Sequence, residues 1–168
     1  MYKNIMNLMN ILEAEYRKDN SNYCIDANEN DYGIILAINN FIYLKGGLIG
    51  FGGIMHNSDE SYTPIIMVDN YYLNMSEEGK KFTVAHELGH LECHIEKFIM
   101  GDGTRDINNE FEADEYALKH LGLEISLKGL NEFKDIVMQN YKLNEDHPSI
   151  QEINLRIENL KNKVSVTY

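Results

Sequence analysis

The residues best placed to do chemistry are His86, Glu87 and His90, in the run His86-Glu87-Leu88-Gly89-His90. Two histidines four apart fall on one face of a helix, with roughly 5–6 Å between their Cβ atoms. They can offer two neutral imidazoles to one metal ion, and Glu87 projects beside them. Zinc peptidases use this arrangement, with the carboxylate taking a proton from the attacking water. A catalytic zinc site wants three protein ligands and an open position. Two residues compete for the third place. His94 lies four past His90, but on a straight helix it stands two turns, about 11 Å, from His86. Chains that use a third histidine break the helix with glycine first, and here residues 91–93 are Leu-Glu-Cys. Glu110, on the next helix, meets no such limit. Glu110 and Asp114 are four apart and share a face, flanked by Ala113 and Ala117, which are small enough for close helix approach. The spacing therefore favours Glu110 as third ligand. Asp114 stands behind, accepting the free N–H of a ligand histidine and fixing its orientation. Glu112 and Glu115 read as solvent-facing charges.

The elements that must position these residues follow from periodicity. Ser76 is a plausible N-cap, with Glu77 and Glu78 in the first turn where carboxylates suit the helix dipole. The helix then runs to about Lys97. Val84, Leu88, Leu91 and Ile95 form its core stripe, leaving His86, Glu87, His90 and His94 on the other side. The next helix spans about Ile107 to Leu121, capped by Gly122. Upstream, Ile5, Leu8, Met9 and Leu12 mark an amphipathic helix over 3–18. Turn formers at 19–22 and 28–31 follow it. Residues 32–38, 41–44, 48–55 and 65–68 predict a small sheet of three or more strands, with Gly-rich 48–55 at an edge. A fourth helix starts near Ser126, and a fifth opens with Pro148 in its first turn. Helix, sheet, then four helices make an α+β chain, and 168 residues suit a single domain over 1–168.

Composition excludes several function classes. Net charge is −12, from 27 acidic against 15 basic residues, which repels nucleic-acid phosphates. No apolar run is long enough to span a membrane, and the first twenty residues do not read as a signal peptide. Cys24 and Cys93 do not make a disulfide framework, and Cys93 reads as a small packing residue. A cytoplasmic location is expected.

The run Lys81-Phe82-Thr83-Val84-Ala85-His86-Glu87-Leu88-Gly89-His90, with His94 after it and Glu110 opening a Glu-x-x-Ala-Asp run, resembles the ImmA/IrrE-like family of metallopeptidases. The likeness covers roughly residues 1–121. It implies a minimal zincin fold, a small mixed sheet packed on the active-site helix, with further C-terminal helices. It also implies action inside bacteria, often from a phage or mobile element, by cleaving or inactivating a helix-turn-helix repressor. Carried over residue by residue, His86, His90 and Glu110 match the zinc ligands, one ion per chain, and Glu87 the general base. A second likeness lies further on. His147-Pro148-Ser149 with Arg156-Ile157 and Leu160 is similar to the C-terminal signature of the HtpX and CAAX-protease-like zinc peptidases. Those enzymes are typically membrane-embedded, and this chain has no span. Both families are gluzincins, so the implied chemistry is the same.

A second electrophile commonly assists such hydrolysis. His147 is the first candidate, because His-Pro at a helix start can sit above a cleft; its other reading is an N-cap. Tyr71 and Tyr72 are further candidates. A substrate peptide would add as a strand along 48–55. Two alternatives stay open: a metal-stabilised module that sequesters a repressor without cutting it, and a general soluble HtpX-like protease.

Overall fold

The computed structural model describes residues 2–19, 23–25, 33–39, 50–102, 104 and 106–165. In chain order these form α1 (Tyr2–Asp19), β1 (Tyr23–Ile25), β2 (Ile35–Asn39), β3 (Gly50–His56) and β4 (Tyr62–Asp69). A 3₁₀ turn (Asn70–Asn74) leads to α2 (Glu77–Ile99), α3 (Ile107–Leu121), α4 (Leu123–Tyr141) and α5 (Pro148–Ser165). The fold is α+β, as the order of patterns implied. The expected turn at 28–31 and strand at 41–44 lie outside the described residues.

The sheet is mixed, with strand order β1-β2-β4-β3. β2 and β4 pair in parallel from Ile35↔Ile65 to Asn39↔Asp69, while β1 and β3 add antiparallel on either side. The central pair carries Leu36, Ile38, Ile66 and Val68, all fully buried, as the covered middle of a small sheet requires. β4 starts two residues before Pro64, where the sequence placed its opening. Pro64 is tolerated inside the strand because it precedes the pairing with β2 and has only β3 alongside. β3 ends the sheet.

Ser76 caps α2, its Oγ accepting the Gly79 N–H at 3.0 Å. One apolar core joins Leu8 and Leu12 of α1, the central strands, Val84 and Leu88 of α2, Ala117 of α3, Leu130 of α4 and Ile153 and Leu160 of α5. The closest helix contact is between α2 and α3. A Cβ at Gly89 would stand 2.8 Å from the Cα of Ala113, so only glycine lets the two helices approach this far. α4 starts at Leu123, three residues earlier than expected, directly after Gly122. Cys93, expected to be a packing residue, is exposed. No helix among the described residues is long and apolar enough to cross a membrane.

Candidate metal and catalytic site

α2 and α3 meet with their polar faces together, and this contact builds the site. His86 Nε2 lies 3.0 Å from His90 Nε2 and 3.4 Å from Glu110 Oε2, and His90 Nε2 lies 3.8 Å from Glu110 Oε1. Three donors bound to one tetrahedral zinc at about 2.0–2.1 Å stand about 3.3 Å from one another. The observed separations bracket that value, so this donor set fits the metal. Among the described residues these three form the one group of His, Cys, Asp and Glu able to share an ion.

The other predicted residues fall as follows. Asp114 is fully buried, and its Oδ1 accepts the His86 Nδ1–H at 2.8 Å, which turns His86 Nε2 towards the group. His94 does not join the three. It is buried, with Nδ1 3.2 Å from His90 Nδ1 and Nε2 2.8 Å from Glu112 Oε2. Glu112 is exposed, as the sequence implied, and its carboxylate also reaches His94. Glu115 pairs with Lys163 at the surface. His147 is not brought to the group. Its Nδ1 accepts the Ser149 N–H at 3.3 Å as α5 begins, so it serves as the cap, and it does not line the cleft. Tyr72 is fully buried and Tyr71 is exposed; neither lines the cleft.

Sequence reasoning quoted Arg156 but gave it no role. Its side chain is 3% exposed and grips Asp114 with two parallel bonds, Nε to Oδ2 and Nη2 to Oδ1, both 2.7 Å. Its Nη1 reaches Glu110 Oε2 at 3.0 Å. One guanidinium thus braces both carboxylates of α3, the geometry in which arginine surpasses lysine. A signal was present in the chain. Arg156 lies beside Ile153, Ile157 and Leu160 on the apolar stripe of α5, and a charge there must find a buried partner.

Residues 52–121 match the family model of the IrrE N-terminal-like peptidase domain. The resemblance read from 81–90 and 110–114 is borne out over that stretch. No curated protein and no solved structure gives a significant match to the chain. The IrrE N-terminal-like stretch contains His86, Glu87, His90, Glu110 and Asp114. Arg156 lies outside it, and so do α4 and α5.

Glu87 lies against β3 beside the three donors. Its carboxyl receives the Gly52 N–H, and a Cβ at Gly50 would stand 2.8 Å from its Cδ. Burial pushes the Glu87 carboxyl up to about 7, against the pull of His86 and with the added repulsion of Glu110. A carboxyl in that range exchanges protons readily at neutral pH. Burial and the Arg156 charge push the His86 imidazole down, but Asp114 and Glu110 outweigh them and raise it to about 9. Burial, then the neighbouring His86 charge, push His90 down to about 3. Glu110 resists its own burial because His86 and Arg156 hold it well below the usual carboxylate range. These groups open on a cleft of about 220 Å³, walled by Phe82 of α2, Phe133 of α4 and Phe98.

Proposed function

We propose that the protein is a zinc-dependent endopeptidase of the gluzincin type, with His86, His90 and Glu110 as metal ligands and Glu87 as general base. The observation that carries this reading is the convergence of two imidazole nitrogens and a carboxylate beside a buried glutamate tuned near neutrality. Zinc bound there would act as a Lewis acid towards the peptide carbonyl and the attacking water. The chain's own residues do the rest. Glu87 takes the proton from the attacking water and passes it to the leaving amine. The Gly52 N–H fixes its carboxyl, and Asp114 with Arg156 holds His86 and Glu110 in place. β3, at the end of the sheet, offers its backbone to an extended peptide. The phenylalanine wall suits a bulky apolar side chain next to the scissile bond.

The partner follows from the family likeness rather than from geometry: an intracellular helix-turn-helix repressor of a phage or mobile element. The test compares wild type with Glu87→Gln, which keeps the shape but cannot take a proton. Glu87→Gln should bind zinc and fold normally while losing at least about 10²–10⁴-fold in peptide hydrolysis. Both proteins are assayed for cleavage of the candidate repressor and release of its DNA. Equal release with no fragments from either would mean that the protein acts by binding, and would sink the peptidase reading.

A further inference from the structure

The two candidate ligand histidines face the same chemical problem. Each must present a bare Nε2, so each must carry its proton on Nδ1. For His86 the solution is direct, since Asp114 Oδ1 accepts from Nδ1 at 2.8 Å. Among the described residues, no carboxylate bonds Nδ1 of His90. What faces it, 3.2 Å away, is a second ring nitrogen, His94 Nδ1. Only one proton can occupy that contact, and which ring supplies it decides the state of His90.

The far side of His94 decides it. Its Nε2 lies 2.8 Å from Glu112 Oε2, and a carboxylate only accepts. His94 therefore carries its proton on Nε2 and leaves Nδ1 bare. A bare Nδ1 accepts from His90 Nδ1–H, and His90 Nε2 is left free towards His86 and Glu110. We propose that Glu112 and His94 form a relay that sets the tautomer of His90, so that both ligand histidines are oriented by carboxylates of α3, one directly and one through a buried imidazole. His94 is a positioning residue, not a third ligand. Its burial supports the role: a ring 1% exposed between two helices has no water to bond and cannot turn to another partner. The sequence logic is compact as well. Glu110 and Asp114, four apart on one face of α3, reach the metal group and His86, while Glu112 between them turns to His94.

The proposal rests on the metal-site reading above, and its test separates the two. Chelator-treated, full-length, ¹⁵N-labelled protein is examined by imidazole ¹H–¹⁵N correlation spectroscopy, which reads tautomers with no metal and no substrate. Wild type should show His90 protonated at Nδ1 and His94 at Nε2. Glu112→Ala alters a half-exposed side chain and should leave the fold intact, yet shift His90 and His94 towards the opposite tautomers. Zinc affinity, by competition with a chromophoric chelator, should then fall about tenfold. With His94→Phe it should fall by about 10–100-fold, the usual effect of losing an outer partner of a metal ligand. Stoichiometry should stay at one ion per chain in both. Unchanged tautomers and unchanged affinity in Glu112→Ala would overturn the relay. Loss of all zinc in a folded His94→Phe protein would overturn it too, by making His94 a ligand. If wild type itself bound no zinc, the metal reading would fall while the tautomer measurement still decided the relay.

Discussion

The position of Glu87 depends on two glycines, and that dependence can be measured. Gly50 and Gly52 lie two apart on β3 and so face the same way, towards α2. A Cβ on Gly52 would stand 3.1 Å from the carbonyl carbon of Glu87 and 3.2 Å from its Cα, with the carbonyl oxygen nearer still. These are backbone atoms in the middle of a packed helix and cannot yield. In Gly52→Ala the strand must retreat instead, by on the order of 1 Å to restore ordinary contact distances. Overpacking of this kind costs about 1–3 kcal/mol. In a chain of this size that corresponds to roughly 2–12 °C in Tm. The retreat also withdraws the Gly52 N–H from the Glu87 carboxyl.

Gly50→Ala separates the two effects. There the atoms nearest the added Cβ belong to the Glu87 side chain, 2.8 Å to Cδ and 2.9 Å to Cγ. A side chain can swing aside, so stability should change little. The general base, however, leaves its place, and a displacement of about 1 Å can cost 10²-fold in rate. Gly53→Ala is the control, because its Cβ meets the ring tip of the exposed Phe51, which is free to move. The assay is hydrolysis of a quenched fluorescent peptide library, with zinc content and Tm measured alongside. The expected order of activity is wild type and Gly53→Ala, then Gly50→Ala about 10²-fold lower with zinc retained, then Gly52→Ala lower again and less stable. Full activity in a folded Gly50→Ala protein would refute the claim that Glu87 works from this position.

Arg156→Gln leaves the buried Asp114 without its charge partner and should destabilise the protein by about 3–5 kcal/mol, read by urea denaturation; a loss under 1 kcal/mol would show that solvent reaches the pair. Asp114→Asn keeps the shape while weakening the grip on His86 and Arg156, and zinc affinity should fall about 10–100-fold in chelator competition. Stability of the metal-free protein should depend on pH through His86, which sits near 9 in the fold against 6.5 when unperturbed. A raised value means that the stabilising contribution is whole below pH 6.5 and is lost as pH rises through 9. At about 1.4 kcal/mol per unit, the fall from pH 7 to 9 is on the order of 2 kcal/mol, and His86→Gln should flatten it. Glu87, raised to about 7, acts with the same sign but mostly below this window.

Much of this arrangement was legible before any coordinates. Helical spacing alone put His86 and His90 on one face, and the alanines around Glu110 and Asp114 marked the helix that could come close to them. The strands β2 and β4 were legible because buried parallel strands read as unbroken apolar runs, but nothing in the sequence showed that they pair with each other. What the sequence hid was mostly a matter of partners. A histidine before a proline looks the same whether it caps its own helix or overhangs a cleft, and His147 does the first. Glu112 is solvent-facing as read, but helical position gives no sign of the His94 ring that α2 places beside it. β1 is three residues long, too short for any alternation to register. Arg156 lies 42 residues from Asp114, and nothing local connects them.

Arg156 also settles why the site needs elements beyond the family-matched stretch. Three carboxylates are buried together at the α2–α3 contact: Glu87, Glu110 and Asp114, none more than 7% exposed. Buried charge of one sign is too costly to leave alone. Arg156 from α5 offsets one, and two negative charges remain. The groups that gain protons in the metal-free fold are His86 and Glu87, one becoming a cation and the other a neutral acid. Together they cancel those two charges. A dication bound to His86, His90 and Glu110 would supply the same two charges from one atom. His86 would then be released to its neutral, ligating form and Glu87 to its basic form. Helix α5 is therefore part of the electrostatics of the site, because without its guanidinium the three buried carboxylates of α2 and α3 would exceed what one divalent ion can balance.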